Sequence, residues 1–201
     1  MNAWLIKYTA FLLVVLSCSD RAKAQNLRFL IPDGAVIQHA GSIGYFSGGV
    51  HYTLFKNKKG SFDLIYGHVP KSKGGGFSTL STKFAFRPYE IELNKWLIIH
   101  PVNPGAFLSY TLNKEFDLTW DRGQYPKGYY YWSEALHLHL SFSSELEIDT
   151  RKVLSSKFLK NVIIYYEVNT NDMYLVNFIQ NSKALSVTDI FKAGIGIKAS
   201  F

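Results

Sequence analysis

The last eleven residues, FKAGIGIKASF, constrain the fold more than any other stretch of this 201-residue chain. Phe191, Ala193, Ile195, Ile197, Ala199 and Phe201 take every odd position, and Lys192, Gly194, Gly196, Lys198 and Ser200 every even one. Successive side chains of a strand point to opposite faces, so the stretch has one apolar face and one polar face. A strand of a membrane barrel needs that division, with apolar residues outward, polar residues in the lumen and a tilted length of about 9–11 residues. An edge strand of an exported sandwich alternates in the same way, but it rarely finishes on an aromatic residue.

The other end of the chain reads as an export signal. Lys7 gives a short basic region, residues 8–16 are apolar, and Ala22-Lys23-Ala24 ahead of Gln25 is an A-x-A cleavage pattern. The combination predicts a signal peptide over residues 1–24 and a barrel domain over 25–201. Cys18, the one cysteine, follows Val15-Leu16-Ser17. That sequence is similar to a lipoprotein box, in which Leu16 is a poor fit, and the A-x-A site is preferred. Cleavage after Ala24 leaves no cysteine, so burial and backbone pairing alone must hold the domain together. It also lowers the formal charge from +7 to +5.

That excess of positive charge is spread along the chain, and its densest run is Lys56-Asn57-Lys58-Lys59. A solvated hairpin loop accounts for the run, and no nucleic-acid partner is expected. A cationic rim of this kind also suits anionic lipid headgroups and lipopolysaccharide. Aromatic residues make up 16% of the sequence, but no stretch after Gln25 is apolar enough for a membrane helix. An all-β chain in a bilayer must close on itself, because lipid offers no partner to an open strand edge. The expected fold class is therefore all-β, a transmembrane antiparallel up-and-down barrel of about eight strands.

The strands are expected at residues 37–55, 62–69, 77–87, 105–112, about 130–143, 158–168, 173–181 and 188–201. Residues 88–104 read as irregular, and 145–156 as a polar loop. The Asn-Thr-Asn-Asp run at 169–172 reads as a tight turn. In the fifth strand Leu136, Leu138, Leu140 and Phe142 share the lipid face, and His137, His139, Ser141 and Ser143 the lumen face. Tyr130 and Trp132 at its start suit an interfacial girdle. This strand count carries one inconsistency. It puts the long connection at 113–128 at the same end as the C-terminus, where short turns are expected.

The terminal alternation ending on Phe201 resembles the C-terminal signature of bacterial outer-membrane barrels. That resemblance implies recognition by the barrel-assembly machinery and assigns an assembly role to Phe191, Ile195, Ile197 and Phe201. Four further segments carry a broader resemblance: His39-Ala40-Gly41-Ser42-Ile43-Gly44, Gly67-His68-Val69-Pro70-Lys71, Tyr125-Pro126-Lys127-Gly128-Tyr129-Tyr130 and Tyr165-Tyr166-Glu167. Together they resemble small outer-membrane proteins of Bacteroidetes-type bacteria. The resemblance implies a cell outer membrane location and contact with its lipid, but no activity.

The expected role is that of a non-enzymatic barrel whose loops contact a protein partner or stabilise the membrane. The alternative rests on His139-Leu140-Ser141 with Glu145 and Glu147 beyond, which resembles the His-x-Ser pair of PagL-type lipid A deacylases. A serine activated by a carboxylate-oriented histidine is competent for acyl transfer. In those enzymes the pair faces lipid, whereas alternation here turns it toward the lumen.

His137 and His139 with His51 from across the lumen form a conceivable metal set, but without recognisable ligand spacing. They are read as polar lumen residues bonded to Ser109, Thr111, Asn161 or Tyr165. Lys192 and Lys198 are read in the same way, with Glu167 and Asp63 as counter-charges, and replacing either with glutamine is expected to affect assembly far less than loss of Phe201. No phosphate-loop, dinucleotide, zinc-protease or nucleophile-elbow motif is present, and no cofactor is expected.

Overall fold

A computed structural model describes residues 30–113, 133, 135–181 and 184–201, and its barrel unit runs from Asp33 to Phe201. The expected signal peptide, the Trp120–Pro126 part of the long connection, and the girdle residues Tyr130 and Trp132 lie outside the described residues. The strands are β1 (Gly34–Ala40), β2 (Phe46–Leu54), β3 (Gly60–Val69), β4 (Phe77–Phe86), β5 (Ile91–Asn94), β6 (Leu97–Leu112), β7 (Leu136–Asp149), β8 (Asn161–Asn171) and β9 (Lys192–Ser200). All except β5 close into an antiparallel eight-stranded barrel in chain order, with β4 pairing β6 and β9 pairing β1. The short β5 pairs only with the start of β6, as a hairpin at one end.

The barrel has eight strands, as the sequence predicts, but two of the assignments behind that number are corrected. The segment at 37–55 is two strands, not one. Ala40 and Gly41 both adopt positive φ, +61° and +79°, and turn β1 back along β2. The expected strand at 173–181 is instead a helix, α2 (Asp172–Gln180), following α1 (Thr150–Leu154). The Asn171 side chain accepts a hydrogen bond from the Tyr174 amide at 2.8 Å and so caps α2. Residue types that mark a turn are also those that start helices. Splitting the first segment also removes the inconsistency over the long connection. The chain reverses once more, so β6 ends and β7 begins at the end of the barrel opposite the start of β1 and the end of β9.

Two boundaries also move. Residues 97–104 belong to β6 rather than to an irregular region, and β7 continues through Glu145 and Glu147 to Asp149. The polar alternation after Ser143 is thus strand, not loop.

Inside and outside are inverted relative to a water-soluble protein. Among the described residues 22 polar or charged side chains are buried against nine hydrophobic ones, while Leu64, Leu80, Leu108, Leu140, Phe142 and Ile195 are exposed on the outer surface. On β7 the division is the expected one: Leu136, Leu138, Leu140 and Phe142 face out, and His139, Ser141 and Ser143 are buried. On β9, Ile195 and Ile197 face out, while Gly194, Gly196 and Lys198 are buried. Phe191 and Phe201 flank β9 and are also exposed. Closure is completed by the Phe201 N–H donating to the Asp33 carbonyl at 3.0 Å.

Candidate functional site in the barrel interior

The alternation of each strand sends its small and polar residues inward, and around the closed barrel these meet as one network. His51 on β2 and Asp63 on β3 are cross-strand neighbours, with Nδ1 and Oδ1 2.5 Å apart. The second oxygen of Asp63 lies 3.1 Å from the Lys198 ammonium on β9, which also reaches Glu145 Oε1 on β7 at 3.3 Å. Glu145 Oε2 in turn accepts from Arg87 Nε at 2.6 Å. Lys83 on β4 pairs with Glu167 on β8 and donates to Gln38 Oε1 at 3.4 Å. The same oxygen accepts from the Tyr165 hydroxyl at 2.8 Å.

Tyr165 is the centre of this arrangement. The ammonium groups of Lys83 and Lys198 lie 5.1 and 5.2 Å from the centre of its ring, within cation–π range. Gly196 is its cross-strand neighbour, and a Cβ there would run into the ring. Three cations (Lys83, Arg87, Lys198) meet three anions (Asp63, Glu145, Glu167), all buried, so the formal charge of the cluster is balanced. An eight-stranded barrel is just wide enough for side chains to fill, and this cluster fills its middle.

On either side of the cluster the lumen opens into a cavity. One, of about 450 Å³, lies at the end that carries the termini. His51, Arg87, His100, Glu147 and Phe201 are among its walls, and His100 Nε2 lies 3.1 Å from Glu147 Oε2. The other, of about 400 Å³, lies at the opposite end beside the β1–β2 turn and the start of α2. Ser109, His137, His139, Tyr174 and Lys192 are among its walls.

The structure separates residues that the sequence groups together. His139 Nε2 is 2.8 Å from the Ser109 hydroxyl, and its ring stacks on Phe107 at 4.1 Å between centres. Ser141 is buried deeper on β7. Glu145 is six residues from His139 along the same strand, about 20 Å at the rise of a strand, and is held by Arg87 and Lys198. Glu147 is held by His100 and by Asn161 Nδ2 at 2.5 Å. Neither carboxylate orients His139.

His137 Nδ1 lies 3.2 Å from Asp172 at the start of α2, 6.5 Å from the His139 ring between centres. His51 lines the cavity at the other end, so the three histidines do not gather around one point. Among the described residues no group of three His, Cys, Asp or Glu side chains is placed to hold a metal ion. Lys198 is buried at the heart of the network, whereas Lys192 is exposed at the rim, its ammonium 5.2 Å from the Tyr174 ring centre.

Sequence reasoning finds the Lys198–Asp63 pair and the Ser109 partner of the histidines. It misses Arg87 and Gln38 as network members, and it names Tyr165 as a partner of the histidines, whereas the Tyr165 hydroxyl bonds to Gln38. Arg87 stands just past a strand end, and β7 must be extended to residue 149 before its partner Glu145 faces inward. Comparisons of this chain with family models, curated proteins and solved structures find no match.

Proposed function

We propose that this chain is an integral outer-membrane barrel, exported through residues 1–24, of the small Bacteroidetes-type class that its sequence segments resemble. The observation that carries the reading is the inversion of polarity: a closed barrel with an apolar exterior and a charge-balanced ionic interior. Water-soluble barrels bury their apolar side chains; this one exposes Leu138, Leu140, Phe142, Ile195 and Ile197 where a bilayer's acyl chains would lie. No helix among the described residues is long and apolar enough to span a membrane.

In this reading β9 is the strand recognised by the assembly machinery, and the termini face the periplasm. The end of the barrel that carries the β1–β2 turn and α2 then faces the cell exterior. The work of the protein lies there, in contact with lipopolysaccharide or a protein partner, because the ionic cluster fills the middle of the barrel. Acyl hydrolysis by His139 and Ser141 lacks support, since no carboxylate among the described residues is bonded to His139.

The test is fractionation of cells expressing the chain, with electrophoresis of heated and unheated samples. Recovery in the outer membrane as a heat-modifiable band is expected. A detergent-free soluble periplasmic protein would falsify the reading.

A further inference from the structure

The cavity at the α2 end of the barrel has the makings of an anion site. Its described walls carry two lysines, Lys73 and Lys192, and two histidines, and no carboxylate. Asp172, at the start of α2, is engaged by His137. The cavity at the other end, by contrast, is walled by both signs, with Asp33, Glu90, Glu147 and Asp149 among its lysines and arginines.

Each lysine lies against a tyrosine. Lys73 Nζ is 5.3 Å from the Tyr45 ring centre and Lys192 Nζ is 5.2 Å from that of Tyr174. Among the described residues neither has a carboxylate at ion-pair distance; Asp189, bonded to Ser186, acts on Lys192 from further away. Such a contact limits where the ammonium can go while leaving its N–H groups able to bond to a ligand.

His139 supplies the second observation. It is 2% exposed and fixed on both sides, by the Ser109 hydroxyl at Nε2 and by the Phe107 ring beneath. Its other nitrogen, Nδ1, is buried in the wall of the cavity with no hydrogen-bond partner. A buried polar atom without a partner is destabilising, and a ligand oxygen that accepts from Nδ1–H removes that penalty. The Ser109 hydroxyl can donate to Nε2, and in that arrangement the ring carries its proton on Nδ1, where it faces the cavity.

We propose that this cavity binds the phosphate group of a phosphorylated ligand, with Lys73 and Lys192 supplying charge at the rim and His139 Nδ1–H donating from the wall. Lysine ammonium groups suit phosphate as point charges, and the cavity is large enough for a phosphomonoester with part of its carrier. The site rests on the barrel fold and not on where the barrel resides. A phosphorylated lipid headgroup and a free phosphate compound offer it the same chemistry.

The experiment uses the full barrel, purified in neutral detergent, with two probes: inorganic phosphate, and micelles doped with a phosphorylated glycolipid. Binding is read by calorimetry and by the ¹⁵N resonances of His139. At least one probe is expected to bind and to shift the His139 resonances, and which one does identifies the source. Lys73→Gln and Lys192→Gln should each weaken that binding about tenfold, the loss of one charge-assisted hydrogen bond. Lys152→Gln, at the opposite end, should leave it unchanged. Each variant is checked for the heat-modifiable band, so a loss of binding is not a loss of folding. Absence of binding by both probes overturns the proposal, as does binding that survives the double change Lys73→Gln and Lys192→Gln. Neither result bears on outer-membrane fractionation, so the site and the location stand or fall separately.

Discussion

Lys198 Nζ on the last strand stands 3.1 Å from Asp63 Oδ2 on the third, joining strands that share no backbone pairing. The pair is buried, and the same ammonium reaches Glu145 at 3.3 Å. Lys198 therefore ties β3, β7 and β9 together through the lumen. Alternation puts Lys192 and Lys198 on the polar face alike, but only Lys198 lies deep enough to be enclosed.

Lys198→Met leaves Asp63 and Glu145 facing each other without their shared cation. Removing one partner of a buried ion pair costs about 3–5 kcal/mol. Urea unfolding of the barrel in detergent should show a loss of that size. Lys192→Gln, which gives up only an exposed cation–π contact, should cost about 0.5–1 kcal/mol.

Phe142 faces outward at the middle of β7, and Ser143 beside it faces inward. In bilayers Phe142→Lys should destabilise the barrel by about 2–4 kcal/mol, the cost of a lysine on the lipid face near the midplane. Cysteines at the two positions separate the faces directly. Phe142→Cys should react with a lipid-soluble maleimide, and Ser143→Cys should not.

Tyr165 occupies space that Gly196 leaves open across the strand pair. Gly196→Val should displace the ring from between Lys83 and Lys198. Overpacking of this kind costs about 1–3 kcal/mol, measurable by the same unfolding assay. The paired change Gly196→Val with Tyr165→Ala should recover part of that loss if the ring is the obstacle.

Loss of Phe201, or the double change Ile195→Asp and Ile197→Asp, should reduce the amount of assembled barrel rather than give a folded, altered one. The Phe201 amide bonds to Asp33, and β9 is the strand that β1 must pair with for closure. An unclosed edge leaves backbone groups in lipid without partners, at several kcal/mol each. Heat-modifiable protein in outer membranes at matched expression gives the comparison. Assembly unaffected by either change would show that closure does not depend on these residues.

Outside the strands, Asp189 closes a capping box on the turn at Val187–Ile190. Its carboxylate accepts from the Ser186 backbone N–H at 2.8 Å and from the Ser186 hydroxyl at 2.9 Å. These two bonds hold its pKa below the ordinary 3.8. A lowered carboxylate pKa stabilises the turn at pH values above 3.8, and the effect fades as pH falls through the lowered value. The Ser186 amide resonance should accordingly stay constant from neutral pH down to about pH 5 and move only at more acid pH.

The alternation of β7 and β9 was legible because period two is a local property. Which of His137, Leu138, His139 and Leu140 share a face follows from the pleat alone. The barrel class followed from the same alternation and from the absence of long apolar runs. The helix at 172–180 was not legible in the same way. Met173 to Gln180 has apolar residues at both odd and even positions, and Asn171 and Asp172 serve turns and helix caps alike. The split at Ala40–Gly41 was hidden because glycines continue beyond the turn into β2, at Gly44, Gly48 and Gly49.

The sequence by itself determined which side chains point inward and that the chain closes into about eight strands, because strand geometry converts position parity into facing. Only the tertiary structure decided which inward residues meet. Ser109 rather than Ser141 bonds to His139, Glu145 binds Arg87 and Lys198 rather than orienting a histidine, and Lys198 is buried while Lys192 is not. Those pairings depend on strand register and on distance across the lumen, which closure of the barrel sets and no local pattern encodes.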